Sequence, residues 1–144
     1  MALFPLIAVV DDDDPFLDLM DELLTTEGYR VVLGRVGHEA LALIAEAKPD
    51  AVIVDIVMET HNAGEMMVRG MRNDALMARL PVLICSADHR YLHEHAAMYH
   101  EWGCTILTKP FDLSNLLAAL AQKLERTRVV QETHEGKTEG DTIP

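Results

Sequence analysis

The sequence predicts an α/β fold, a parallel sheet covered by helices on both faces. Two observations carry that expectation. Five short apolar runs alternate with segments whose apolar residues recur at helical spacing, as far as about residue 125. The runs are also nearly continuous in hydrophobicity rather than alternating, which suits strands buried on both faces. Right-handed crossovers are expected between successive strands.

The elements follow in order. Leu6–Val10 is an apolar run that stops at a block of four aspartates. Phe16, Met20, Leu23, Leu24 and Glu27 fall at helical spacing, and Gly28 supplies the C-cap. Asp13 and Asp14 are expected to cap this helix, with Pro15 near its first turn. Arg30–Leu33 is rich in β-branched residues and predicts a second strand. Ala40, Leu41, Ile44 and Ala47 line a second helix that Pro49 stops.

Ala51–Val57 is the most hydrophobic run, interrupted only by Asp55. Met67, Val68 and Met71 mark a third helix. Pro81–Cys85 predicts a fourth strand, with its proline at the start, where the missing N–H is tolerated. Leu92, Ala96 and Tyr99 repeat helically between Arg90 and Trp102, and Thr105–Leu107 is a short fifth strand. Leu113, Leu116, Leu117, Leu120 and Leu124 then form one stripe of a last helix. Residues 1–125 are therefore expected to make one domain. Residues 126–144 lose the apolar period and predict a helix end followed by a flexible acidic tail.

Composition narrows the function. Apolar residues make up 49% and charged residues 25% of the 144, an ordinary globular balance. No apolar run approaches the roughly 18 residues of a membrane-spanning helix, so no membrane partner is expected. Ala2–Val10 lacks the basic flank of a signal peptide. Cys85 and Cys104 follow no metal or redox spacing and predict buried, reduced thiols. Together these point to a cytoplasmic protein. The formal net charge of −12 repels phosphate backbones, so direct nucleic-acid binding is not expected.

In open α/β sheets ligands bind at the carboxyl ends of the strands, so polar residues there carry the chemistry. The first strand ends in Asp11–Asp14, the third in Asp55, the fourth in Ser86, and the fifth leads into Lys109–Pro110. A lone aspartate at a strand end is usually a cap or a solvated loop residue. Asp55 is different, because a carboxylate closing the most apolar strand carries a burial cost. Clustered carboxylates repel one another until a proton or cation relieves them. Hard oxygen ligands with room for water suit Mg²⁺. A carboxylate flanked by a divalent ion, an ammonium and a hydroxyl can attack a phosphoryl group, since those donors stabilise charge on the transferring oxygens.

The segments IAVVDDDDPFLDLMDELLTTEGYRV, PDAVIVDIVM, LPVLICSAD and LTKPFDLSNLLAAL resemble the response-regulator receiver family over roughly residues 3–125. The resemblance implies a flavodoxin-like doubly wound sheet of strand order 2-1-3-4-5 with five helices. It implies that Asp55 accepts a phosphoryl group, Asp12 binds Mg²⁺ directly and Asp11 through water, and the Val57 carbonyl is a further metal ligand. Ser86 matches the hydroxyl that turns toward the phosphoryl group. Lys109 matches the lysine that pairs with it, followed by a cis Lys109–Pro110 bond. The implied donor is a histidine kinase or a histidine phosphotransfer protein. The implied output is contact with a downstream protein, and homodimers through helix four, strand five and helix five are possible for such domains.

The sequence departs from the family at several places. Glu59 stands where a proline usually follows Met58, and Thr60–Gly64 is one residue longer than usual. Ile106 occupies the switch position usually held by Tyr or Phe, with Tyr99 and Trp102 nearby as ordinary core aromatics. Val57 is apolar where fast-hydrolysing members help to orient water, Asp88 being the other such position, which implies slow loss of the phosphoryl group. Two other readings stay open. One is a degenerate receiver that binds partners without phosphorylation. The other is a phosphatase of the haloacid-dehalogenase type, with Asp11 and Asp13 as its acid motif. His89, His93 and His95 are close enough in sequence for a metal reading, but solvated positions on an exposed helix are expected for them.

Overall fold

A computed structural model describes residues 4–35, 38–56 and 61–125. The elements run β1 (Leu6–Val10), α1 (Asp14–Thr26), β2 (Arg30–Gly34), α2 (His38–Ala47), β3 (Ala51–Asp55), α3 (His61–Arg72), β4 (Val82–Ser86), α4 (His89–Glu101) and β5 (Thr105–Thr108). A fifth helix, α5, covers residues 113–125. The five strands are all parallel and lie in the order β2-β1-β3-β4-β5.

Successive side chains of a strand point to opposite faces, and the core divides accordingly. Ala8, Val10, Val52, Val54, Val82 and Ile84 face α2, α3 and α4, where Ile44, Met67, Val68, Met71 and Tyr99 complete a buried cluster. Ile7, Val9, Ile53, Leu83 and Cys85 face α1 and α5, against Leu17, Met20, Leu24, Leu116 and Leu120. Every residue of β3 and β4 is buried. That is why both strands read as unbroken apolar runs.

Several strand boundaries shift from the sequence expectation, β2 running on to Gly34 and β5 to Thr108, one residue further each. The third strand ends at Asp55 rather than Val57, although the Ile56 N–H still donates to the Cys85 carbonyl at 2.8 Å. The fourth begins at Val82 and reaches Ser86, so Pro81 precedes the ladder instead of opening it. The expected caps of α1 also need correction. Asp13 occupies the N-cap position but its carboxylate makes no capping bond, and Asp14 is the first helical residue, paired with Arg35. Gly28 follows the helix with φ of +93°, the left-handed turn that favours glycine. Val57, Glu59, Thr60 and the expected tail lie outside the described residues.

Met71 is fully buried between α3 and the sheet. Met71→Ala is expected to lower stability by about 3 kcal/mol through lost burial and a residual cavity. Urea unfolding should show a lower midpoint with an unchanged slope. A shift equivalent to less than about 1 kcal/mol would contradict this packing.

Candidate functional site

The ladder registers explain why four separated residues meet. Val10 pairs with Val54, so the next residues, Asp11 and Asp55, leave neighbouring strands side by side. Asp55 pairs with Cys85, one residue before Ser86, and Ser86 pairs with Thr108, one residue before Lys109. This is also where the strand order reverses, the usual ligand crevice of an open α/β sheet.

Among the described residues, Asp11, Asp55 and Ser86 are the buried polar ones, at 0%, 2% and 1% exposure. Lys109 Nζ lies 2.7 Å from Asp55 Oδ1 and 3.9 Å from Asp11 Oδ2. The backbone behind that ammonium is fixed from two sides. Its N–H donates to the Ser86 carbonyl at 2.8 Å, and its carbonyl accepts from His89 Nε2 at 2.8 Å. The Lys109–Pro110 bond is cis, as expected.

One oxygen of Asp11 is satisfied, since Oδ1 accepts the Asp13 N–H at 3.0 Å. The other is not. Asp11 Oδ2 and Asp55 Oδ1 are buried without a directed hydrogen-bond partner, the 2.7 Å contact to Lys109 being an ion pair only. Burial pushes the Asp11 carboxyl up to about 7, and the Asp55 charge adds to it against the pull of the Asp13 N–H and Lys109. The crevice therefore holds more negative charge than one ammonium neutralises.

Asp12 lies apart from this pair. It is exposed, and its carbonyl accepts from Arg35 Nη1 at 3.0 Å. Among the described residues no three His, Cys, Asp or Glu side chains converge as a ready metal shell. Two do converge, Asp11 and Asp55, and two carboxylates are what a Mg²⁺ ion ordinarily takes from a protein. Ser86 Oγ accepts the Asp88 N–H at 3.0 Å, which leaves its O–H able to donate into the crevice. Asp88 in turn caps α4, accepting the Tyr91 N–H at 3.1 Å.

Several neighbours were not foreseen. Phe16, expected on the core face of α1, holds its ring centroid 4.0 Å from Lys109 Nζ. Arg35 ties the end of β2 to the Asp12–Asp14 loop. A basic residue just past a strand end was a readable signal for Arg35. The roles of Phe16 and His89 depend on contacts with the fifth strand's loop, far away in the chain.

The histidines fall only partly as expected, since His95 is half-buried rather than solvated. His89, His93 and His100 are exposed, and His95 stacks on Tyr91 with ring centroids 4.1 Å apart. Ile106 is half-buried and packs against the core cluster that contains Tyr99. Tyr99 is itself fully buried, with its hydroxyl 2.7 Å from that of Tyr91, and Trp102 is half-buried beside it. Cys85 and Cys104 are free and buried, and burial pushes the Cys85 thiol up to about 12. Among the described residues, no helix is long and apolar enough to cross a membrane.

Known proteins resemble this chain in sequence and in architecture. The chain is 35% identical over 124 residues to the response regulator MprA of Mycobacterium tuberculosis H37Rv, covering 85% of this chain and 51% of that protein. It is 36% identical over 123 residues to MprA of Mycolicibacterium vanbaalenii, covering 84% of this chain and 51% of that one. It thus spans about half the length of the curated relatives it matches. Among solved structures, NtrX from Brucella abortus superposes with a TM-score of 0.79 at 25% identity, over 92% of this chain and 30% of NtrX. A CheY-like receiver domain protein from Methanospirillum hungatei JF-1 superposes with a TM-score of 0.76 at 22% identity, over 87% of this chain and 97% of that one. The profile of the response regulator receiver domain matches residues 7–121. With the five-stranded order 2-1-3-4-5 and the Asp11–Asp55–Lys109 crevice, the chain belongs to the response regulator receiver domain family of two-component signalling.

Proposed function

We propose that Asp55 accepts a phosphoryl group in this chain, and that Asp11, Asp12, Ser86 and Lys109 serve that transfer. The observation that carries the reading is the buried Asp55 carboxylate, whose Oδ1 lacks a directed hydrogen bond yet lies 2.7 Å from an ammonium. A carboxylate oxygen of Asp55 forms the new bond to phosphorus while the P–N bond of a phosphohistidine breaks. The departing imidazole takes up a proton from solvent, and the product is an acyl phosphate. Lys109 and the Ser86 hydroxyl donate to the oxygens on which negative charge gathers.

The pocket fits a hard divalent cation, since Asp11 Oδ2 and Asp55 Oδ1 are buried oxygens in need of a positive partner. Asp11, Asp12 and Asp55 would hold Mg²⁺, with the Val57 carbonyl that the family pattern adds. When bound, the ion offsets charge on the phosphoryl oxygens. The donor is a histidine kinase or phosphotransfer protein, and the output is contact with another protein, with the face of α4, β5 and α5 available for a second copy. No observation at the site favours phosphorylation-independent binding or a haloacid-dehalogenase-type phosphatase.

Acetyl phosphate with Mg²⁺ is expected to add one phosphoryl mass. Asp55→Asn should abolish labelling, Asp11→Asn should slow it, and Lys109→Ala should slow it by about a hundredfold. Labelling that survives Asp55→Asn would sink the assignment. The apolar Val57 predicts a slow return to the unmodified form. A phosphoryl lifetime of seconds in Mg²⁺ without a phosphatase would exclude that.

Metal binding should also show in stability. The raised Asp11 carboxyl means that the folded state holds its proton more tightly than the unfolded chain does. Its contribution to metal-free stability is complete below the unfolded value of 3.8 and is lost as pH rises through about 7. Bound Mg²⁺ would take the place of that proton. The gain in Tm on adding Mg²⁺ should therefore be larger at about pH 8 than at about pH 5.5, and Asp11→Asn should flatten the difference. Equal gains at both values would rule out Asp11 as a ligand.

A further inference from the structure

We infer that Phe16 is a positioning residue for phosphoryl transfer, holding the Lys109 ammonium in place through the face of its ring. The inference rests on the reading of Asp55 as acceptor and adds a group which that reading does not contain.

Lysine carries its charge on a flexible four-carbon stem, so fixing the backbone does not fix the head group. The Lys109 backbone is held by Ser86 and His89. Among the described residues the ammonium meets three groups: Asp55 Oδ1 at 2.7 Å, Asp11 Oδ2 at 3.9 Å and the Phe16 ring at 4.0 Å. Two of these change during the proposed chemistry. Asp55 would turn a carboxylate oxygen into the bridging oxygen of an acyl phosphate, and Asp11 would be committed to the cation. The ring contact does not depend on the state of either acid.

The ring also differs from the acids in kind. An aromatic face attracts a cation through its quadrupole without accepting a directed hydrogen bond. All three N–H donors of Lys109 stay available for Asp55 and the transferred oxygens. A carboxylate or amide at position 16 would compete for those donors. Phe16 packs against the core of α1 and α5, which steadies the ring, and the Lys109 side chain is only 24% exposed. The contact is therefore partly shielded from water, the condition in which cation–π attraction is strongest.

The test replaces Phe16 site-specifically with mono-, di- and trifluorinated phenylalanine, which withdraw electron density from the ring at nearly constant size. Labelling by acetyl phosphate in Mg²⁺ is followed by intact mass. The expected result is a rate that falls stepwise with fluorine number, a loss of about fivefold in Phe16→Leu, and recovery in Phe16→Trp. The Lys109 ε-methylene protons should also be shifted upfield by the ring in the unmodified protein, and the shift should vanish in Phe16→Leu. Rates independent of fluorination, in protein that labels normally, would overturn the inference and leave the acceptor reading standing. A missing upfield shift would overturn it as well. Wild-type protein that does not label at all would overturn the acceptor reading, and this inference with it.

Discussion

Two carboxylates share one desolvated crevice here, and a single ammonium stands between them. That constraint organises the upper end of the molecule. Like charges taken out of water raise each other's cost, and an ammonium at 2.7 Å offsets part of it. The rest stays visible as two buried oxygens without hydrogen bonds and as an Asp11 carboxyl that burial pushes upward. A fold with a fully apolar site would be easier to stabilise. The uncompensated charge leaves the crevice in need of a further positive partner.

The surroundings hold this arrangement by backbone as much as by side chain. Asp11 borrows the Asp13 N–H, Ser86 accepts the Asp88 N–H, and the Lys109 peptide is clamped between Ser86 and His89. Asp13, standing at the N-cap, gives its N–H to Asp11, and its carboxylate makes no capping bond.

On the opposite side of the sheet from α1, helices α3 and α4 are joined by polar contacts within an otherwise apolar interface. Tyr91 bridges Glu65 Oε1 at 3.3 Å and the Tyr99 hydroxyl at 2.7 Å, and burial pushes both phenols upward. Lower down, the Arg72 guanidinium gathers the carbonyls of Met77, Ala78, Leu80 and Trp102. Arg69 lies over the Trp102 ring at 5.4 Å. Ile106 packs against this same cluster. Ile106 therefore sits beside a dense, hydrogen-bonded aromatic group that also joins α3 to α4.

The sequence by itself determined the layered fold, because strands buried on both faces must read as apolar runs and helices between them must show a single stripe. It also singled out Asp55, Ser86 and Lys109 as the residues to inspect, because together they fall at the carboxyl ends of such runs, where an open α/β sheet binds its ligands. Strand ends were legible only to within one or two residues, because Ile56 and Pro81 are as apolar and buried as the ladder they adjoin. Tertiary structure alone decided which acid of the aspartate block is buried. Asp11 follows Val10 into register beside Asp55, whereas Asp12, one residue on, points the chain back to solvent. It alone also brought Phe16 over Lys109 and His89 onto its carbonyl. Those contacts join residues 93 and 20 positions apart in the chain, and the physical reason they escape a linear reading is that side-chain spacing within one element says nothing about which loop will be folded against it.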